Sequence, residues 1–455
     1  MVRVLFWMCM NYEYNELIDA ELESLAELYG ISSKELCLSH YYDCSSGASA
    51  EIDENGYYSS FNDYYAALLR GEEVADRRVP KNEQNVFYYA TVPSIEVAIE
   101  IFNRCIQIKA LIDLWTEGQT YPEILNKIKK NHENDVVNKL VGKRWCVKFS
   151  CFNAKSDASR LVSILQGMSE IFDRAGAVDL KNPETRIAII ERYKDDASKE
   201  LRTIYFGECI RDRDDIGCWW NQYSLSTRPI LAPTTLENVL AFIMVNLAKV
   251  KTGSVVLDPF VGSGGSLITA SHFGGICFGS DIDMRVLKGW AVGYHNLNLP
   301  PSDIPTHVYT NFKHYGMPMP EMLRFDNRYS VWRSMAHPRQ HSKEWVDAII
   351  TDPPYGIRAS AKNHRLFNHG SGDDVVECLI NALLDLGEAM LVPQGRLVFL
   401  LPTKNDRSDK LCRLQTTLHI LNRPKLQVRH LGLQPLTGGT PSFQSNTIQQ
   451  VPQGL

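Results

Sequence analysis

Apolar positions along this chain fall into short runs separated by polar segments, and their spacing predicts strands and helices in mixed order. Val4-Leu5-Phe6-Trp7 reads as a strand, and Leu17, Leu22, Leu25 and Leu28 share one side of a helix over 15–29. From Tyr41 to Asn85 the chain is rich in Tyr, Ser, Asp, Gly and Glu and loses periodicity, which predicts a loop or disordered insertion. A strand resumes at Val86-Phe87-Tyr88-Tyr89-Ala90. Ser94 then opens a helix through Ile95, Ile99 and Phe102, expected to continue to Leu114 and Trp115 and to carry Arg104 and Lys109. Lys127, Lys129 and Lys130 follow as a basic cluster. Strands are expected at 145–149, 186–193 and 204–207, a helix at 159–175, and a loop at the charge run 211–215. This mixture predicts an α+β region with one exposed sheet face or basic edge.

The pattern changes near Leu225. Thr234 and Thr235 are suited to capping a helix over 236–248. The apolar strand Val255-Val256-Leu257 breaks at a glycine-rich turn, 258–265, and a helix follows from Ser266. A second strand, 276–280, ends in Asp281-Ile282-Asp283, and a further helix carries Val286, Leu287 and Trp290. Strand, turn, helix, strand and acidic end make a βαβ unit. Further core strands are expected at 348–350 and 395–401. The fold class is therefore α/β, a doubly wound Rossmann-like sheet preceded by an α+β region. The division runs 1–220 and 225–434, with 435–455 as an uncharged, disordered tail.

Length and composition narrow this picture. The chain has 455 residues, too many for one ordinary core. A net charge of -5 makes any nucleic-acid surface a local patch. The 11 cysteines form no Cys-x-x-Cys pair, so neither a disulfide framework nor a metal site is indicated and a reducing, cytoplasmic setting is expected. Val2–Met10 reads as a strand, not a signal peptide, and no apolar run reaches membrane-span length.

Two turns carry the candidate chemistry. In Thr351-Asp352-Pro353-Pro354-Tyr355, two prolines remove backbone donors and force an extended exit from a buried strand. A carboxylate, backbone carbonyls and a flat ring form a socket for a planar group bearing an NH2, such as a nucleobase. Read alone, the same residues also suit simple strand-to-turn punctuation. In Asp258-Pro259-Phe260-Val261-Gly262-Ser263-Gly264, the glycines admit close backbone approach to a ligand. Asp281, 23 positions after Asp258, can accept both hydroxyls of a ribose. A dinucleotide fold would want glycine at 267, where Leu267 stands. A carboxylate at 258 would repel a pyrophosphate but attract the cationic end of S-adenosylmethionine (AdoMet).

Together these motifs resemble class I AdoMet-dependent amino-methyltransferases. More narrowly, Arg228-Pro229, Ala232-Pro233-Thr234, Gly279 through Asp283, Asn311-Phe312-Lys313 and Asp352 through Arg358 resemble the tRNA guanosine N2-methyltransferase family acting at position 10. Arg104, Leu114-Trp115, Gly118, Lys181-Asn182-Pro183 and Phe206-Gly207 resemble that family's THUMP-type RNA-binding region. The resemblance implies methyl transfer to the exocyclic N2 of a tRNA guanosine, with the base flipped out. Asp352, Pro353, Pro354 and Tyr355 would be catalytic. Asp258, Phe260, Gly262, Gly264, Asp281, Asp326 and Thr234 would bind the cofactor. Arg104, Lys109, Lys127, Lys129 and Lys130 would meet RNA. It also implies a small zinc-binding activator subunit as partner. A DNA adenine or cytosine amino-methyltransferase shares the catalytic tetrad, and a non-catalytic RNA-binding scaffold could share the fold. Two departures stand out: Ala232 replaces the family's usual glycine, and the match is lost after about Gln434. The sheet of this fold closes with an antiparallel strand pair; Leu426–Leu431 can supply one member, but Thr437-Gly438-Gly439-Thr440-Pro441 stands where the second should follow, so the edge is expected to be left open.

Overall fold

The computed structural model describes residues 2–9, 14–31, 36, 86–131, 139–172, 175–194, 199–232, 235–287, 307–326, 344–354, 372–403, 415–422 and 427–432. The insertion expected at 41–85 and the tail expected at 435–455 lie outside the described residues, as do Thr234 and Tyr355.

The first sheet contains β1 (Val2–Met8), β2 (Phe87–Val92), β3 (Ile108–Gly118), β4 (Trp145–Phe152), β5 (Thr185–Tyr193) and β6 (Leu201–Asp212), in the order β2-β1-β3-β6-β5-β4. All its neighbours are antiparallel except β4 and β5. Side chains alternate across a strand, and on β5 both sides are covered. Ala188 and Ile190 join the core beneath α1 (Ile18–Leu28) and α2 (Ile95–Arg104), whereas Ile187 and Ile189 pack with Ile124 of α3 (Tyr121–Asn131) and Ile164 of α4 (Ala158–Gly167). Strand β5 therefore presents no exposed face, one of the two forms expected from the sequence, the other being a basic edge.

The helix expected to reach Trp115 ends at Arg104, and Leu114, Trp115 and Lys109 lie on β3. Residues 108–118 are claimed by pairing between β1 and β6, which overrides local helical spacing. The charge run at 211–215 supplies the stop. The Arg213 guanidinium, buried rather than in a loop, donates to the carbonyls of Phe102, Asn103 (3.3 Å) and Cys105 (3.2 Å) at the helix C-terminus. A cation there satisfies orphan carbonyls and complements the helix dipole.

The second sheet has seven strands, in the order β13-β12-β11-β10-β7-β8-β9. They are β7 (Val255–Asp258), β8 (Ile276–Asp281), β9 (Glu321–Arg324), β10 (Val346–Thr351), β11 (Leu391–Thr403), β12 (Gln415–Asn422) and β13 (Gln427–Gly432). The five strands from β9 to β11 are parallel, and near-continuous apolar runs such as Ala348-Ile349-Ile350 are what a sheet covered on both faces requires. Helices α5 (Asn238–Leu247) and α6 (Gly265–His272) cover one face. The chain leaves β7 toward β8 and β9, then crosses back to β10 and β11, so β7 and β10 flank a topological switch point. The expectation of an unclosed edge is corrected. β12 pairs antiparallel with β11 and β13 with β12, so the strand pair is present, its other member preceding 426–431 instead of following it.

A buried polar seam joins the two sheets. Glu21 of α1 is fully buried and accepts from the Ile106 N–H (3.1 Å), Gln107 Nε2 (3.1 Å) and Asn246 Nδ2 (2.7 Å). Arg396 of β11 donates to Ser24 Oγ (2.8 Å) and the Leu247 carbonyl (2.6 Å) and pairs with Glu27. Burial pushes the Glu21 carboxyl up. The polar stripe of α1 is thus the side that faces the second sheet.

Candidate active site

The C-terminal ends of β7, β8 and β10 place the acids picked from the sequence around one crevice, as expected at a switch point. Asp258 ends β7 and is 3% exposed. Its Oδ1 accepts from the Phe260 N–H (2.9 Å) and the Thr351 hydroxyl (2.7 Å), and its Oδ2 accepts from the Ser266 hydroxyl. This carboxylate accepts from three protein donors, so it braces the turn. Burial nevertheless pushes it up to about 6, against those three hydrogen bonds.

The turn after β7 runs through two left-handed glycines, Gly262 at φ 48° and Gly264 at φ 83°. A Cβ on Gly264 would stand 3.0 Å from Val308 and 3.1 Å from Phe312, whereas one on Gly262 would meet nothing within 4 Å. Gly264 is therefore glycine for packing, and Gly262 borders open space. The Gly262 N–H donates to Asp281 Oδ2 (2.9 Å), and Asp281 Oδ1 accepts from the Asp283 N–H (2.8 Å). Burial raises the Asp281 carboxyl, with the Asp283 and Gly262 donors opposing. Asp281 closes β8 half-buried, Phe260 is half-buried in the turn, and Asp326 is half-buried just beyond β9.

Asn311 lies outside the expected site set, although its motif is part of the resemblance. Fully buried, it accepts from the Ile230 N–H (2.9 Å) and donates to the carbonyls of Ile230 (3.0 Å) and Ser263 (3.0 Å). It clips the segment after Arg228-Pro229 to the glycine turn. Thr235 does not cap the following helix, which begins at Asn238; its hydroxyl lies 3.0 Å from Ser263 Oγ and donates to the Ala232 carbonyl (2.8 Å).

Asp352 follows β10 directly. It is half-buried, Pro353 is buried and Pro354 is exposed. Among the described residues no hydrogen bond reaches its carboxylate. Burial, then the nearby charge of Asp258, pushes it up to about 7. A carboxyl that no described donor reaches, able to change protonation near neutrality, is suited to accept a proton.

The basic residues are less uniform than the sequence suggested. Arg104 is not a surface contact. It is buried in the seam, donates to Asn246 Oδ1 (2.9 Å) and the Val250 carbonyl, and lies 3.9 Å over the Phe273 ring. Desolvation lowers it to about 10, and a guanidinium spent this way has no fork left for phosphate. Lys109 sits 4.2 Å over Trp7 and pairs with Asp214 (3.4 Å). Lys127 pairs with Glu123 (2.7 Å) and Lys129 with Glu170, while Lys130 is exposed. Among the described residues no group of His, Cys, Asp and Glu could hold a metal ion, and no helix is long and apolar enough to cross a membrane.

The strand order and the acids at its switch point define a class I, Rossmann-like methyltransferase domain. Residues 226–289 match the family described as RMKL-like, methyltransferase domain, and residues 66–214 match the Tmrp11 THUMP N-terminal domain. The tRNA (guanine(10)-N(2))-methyltransferase TRMT11 of Mus musculus is 30% identical over 341 residues, 70% of this chain and 70% of that protein. The protein of the same name from Dictyostelium discoideum is 28% identical over 377 residues, 75% of this chain and 69% of that one. TrmN from Thermus thermophilus, a solved structure, is 17% identical over 78% of this chain and 91% of its own, with a TM-score of 0.32. The chain belongs to the tRNA (guanine(10)-N(2))-methyltransferase TRMT11 family.

Proposed function

We propose that this protein transfers a methyl group from AdoMet to the exocyclic N2 of a tRNA guanosine, the one at position 10. The single observation that carries the reading is the juxtaposition at the switch point. A braced glycine turn beside open space adjoins a half-buried carboxylate that no described donor satisfies. The residues present fit AdoMet: Gly262 leaves room for it, and Asp281 stands at the strand end where a ribose is bound in such sheets. Phe260, in the turn after β7, and Asp326, just beyond β9, would complete the cofactor set. When bound, AdoMet supplies an activated methyl group on a sulfonium.

The chain's own work is placement. Asp352 and the carbonyls beside Pro353 and Pro354 accept the hydrogens of the amine, which otherwise delocalises its lone pair into the ring. Its lone pair is then aimed at the methyl group, and in-line positioning lowers the barrier. Asp352 takes the proton. Tyr355, outside the described residues, is assigned to stack on the flipped base. The first sheet, within residues 1–220, would bind tRNA, with Lys130 the most available of the lysines and Lys109, Lys127 and Lys129 joining by exchanging their carboxylate partners for phosphate; the second, within 225–434, would hold the chemistry.

A small zinc-binding activator subunit would add to the edge at β9. Among the described residues that strand pairs on one side only, and Leu323, Met319 and Ile282 are exposed around it. The described cysteines are all free thiols, which suits the reducing cytoplasm. The test is nucleoside analysis of tRNA incubated with labelled AdoMet, the protein and such a subunit. Label in N2-methylguanosine at position 10 is the expected result. Label in DNA adenine or cytosine instead, or in no nucleic acid, would refute the reading.

A further inference from the structure

The ladder between β7 and β10 is short. Ala348 lies opposite Val256 and Ile349 opposite Leu257, and there the paired register ends. One residue further, the two strands turn to other partners. Asp258 pairs with Gly279 of β8, whereas Ile350 and Thr351 pair with Val398 and Phe399 of β11. The strands therefore part between Asp258 and Thr351, where the crevice opens. A side-chain hydrogen bond clasps each end of this ladder. Away from the crevice, the Val255 N–H donates to Asp347 Oδ2 (2.7 Å). At the crevice, the Thr351 hydroxyl donates to Asp258 Oδ1 (2.7 Å). Thr351 is fully buried, and its backbone is held by β11. Asp258 also accepts from the Phe260 N–H (2.9 Å) in the glycine turn and from the Ser266 hydroxyl at the start of α6. One hydroxyl thus ties β10, with Asp352 next along it, to the turn after β7. Valine would fill the same space, so packing alone does not call for an oxygen at this position.

Resting on the AdoMet reading above, we propose that Thr351 is a positioning residue for methyl transfer, its hydroxyl setting the gap between the glycine turn after β7 and Asp352. On that reading the cofactor lies against the turn and the amine against Asp352, so the two are held by different strands. The distance between them is then set by how far apart the strand ends stand. Reacting atoms have to meet in line at about 3–3.5 Å, and a misplacement of about 1 Å costs up to about a hundredfold in rate. The backbone ladder stops short of this point, and the Thr351–Asp258 bond reaches it. Thr351 touches neither ligand. It acts through Asp258 on the turn and through its own main chain on Asp352.

Single-turnover tRNA methylation by the full chain, under the conditions of the assay above, tests this together with titration calorimetry. Thr351→Val is expected to slow transfer by about ten- to a hundredfold. S-adenosylhomocysteine and tRNA should each bind it within about threefold of the parent, because neither ligand spans the gap alone. A bisubstrate probe, guanosine tethered through its N2 to the 5′ carbon of adenosine by a short linker, reads the gap without turnover. Thr351→Val should bind that probe about tenfold more weakly. Thr351→Ser, which keeps the hydroxyl, should recover both the transfer rate and the probe affinity. Parental values for Thr351→Val, or a loss spread equally over S-adenosylhomocysteine, tRNA and the probe, would make Thr351 a packing residue and overturn the proposal, leaving the AdoMet reading intact. If Thr351→Val does not fold, Thr351→Ser decides: parental transfer and probe binding uphold the role of the hydroxyl, and slowed transfer with the hydroxyl present overturns it. A parent chain that methylates no tRNA overturns the functional reading, and the proposal with it.

Discussion

Asp258-Pro259 and Asp352-Pro353 are the same dipeptide at the ends of adjacent parallel strands, yet their environments are opposite. Asp258 is 3% exposed and meets three donors, while Asp352 is half-buried and meets none among the described residues. The neighbours explain the difference. Asp258 leads into a tight turn whose own N–H groups and hydroxyls fold back on it. Asp352 leads into two prolines, which offer no N–H. A strand-end carboxylate becomes a brace when the following turn folds its donors back on it, as at Asp258. Thr351 links the two roles, since its hydroxyl serves Asp258 while its backbone carries Asp352.

Removing the reagent should have the largest effect. Asp352→Ala is expected to lower turnover by about 10²–10³-fold while S-adenosylhomocysteine affinity, measured by calorimetry, stays within about threefold. A variant with near-parental turnover would mean that the two acids do not differ as described. Removing the brace should act on the fold instead. Asp258→Ala strands two hydroxyls and an N–H, and hydrogen bonds to a charged acceptor are each worth about 1.5–3 kcal/mol. Less what burying that acid costs, a loss of at least about 2 kcal/mol is expected in urea unfolding, against little for Asp352→Ala.

The pH dependence of stability sharpens the same contrast. Both carboxyls sit above their unfolded range, at about 6 and about 7. The cofactor-free native chain therefore binds more protons than the unfolded chain between about pH 4 and pH 7, and stability falls as pH rises through that window. Asp352→Asn should make the fall shallower; an unchanged slope would show that Asp352 does not titrate above its unfolded range. The smallest effects concern the turn. Both glycines have positive φ, so alanine costs about 1–2 kcal/mol at either. Gly264→Ala should add a clash with Val308 and Phe312 and melt lower, whereas Gly262→Ala should spare the fold more and weaken AdoMet binding instead. Equal melting losses would place packing, not open space, beside Gly262.

Much of this site was legible because its signals are local. Alternation and apolar runs located β7, β8 and β10, and the turn sequences placed Gly262, Gly264, Asp281 and Asp352 at strand ends, which is where they lie. Arg104 was misread because a helix-terminal arginine looks the same whether it faces water or a neighbouring sheet. Its burial depends on Asn246, Val250 and Phe273, at least 142 positions away. β3 was misread as helix for a related reason: residues 108–118 pair with strands about a hundred residues before and after them, and that pairing outweighs local spacing.

The sequence by itself determined which residue types stand at the ends of the parallel strands, because strand period and turn chemistry are properties of neighbours in the chain. Only the tertiary structure decided what each does. Whether a carboxylate is a brace or a proton acceptor depends on how many donors reach it and how little water remains. For Asp258 a decisive donor, the Thr351 hydroxyl, arrives from 93 positions away. Desolvation and cross-strand contact come from the packed sheet, and no window of sequence contains them.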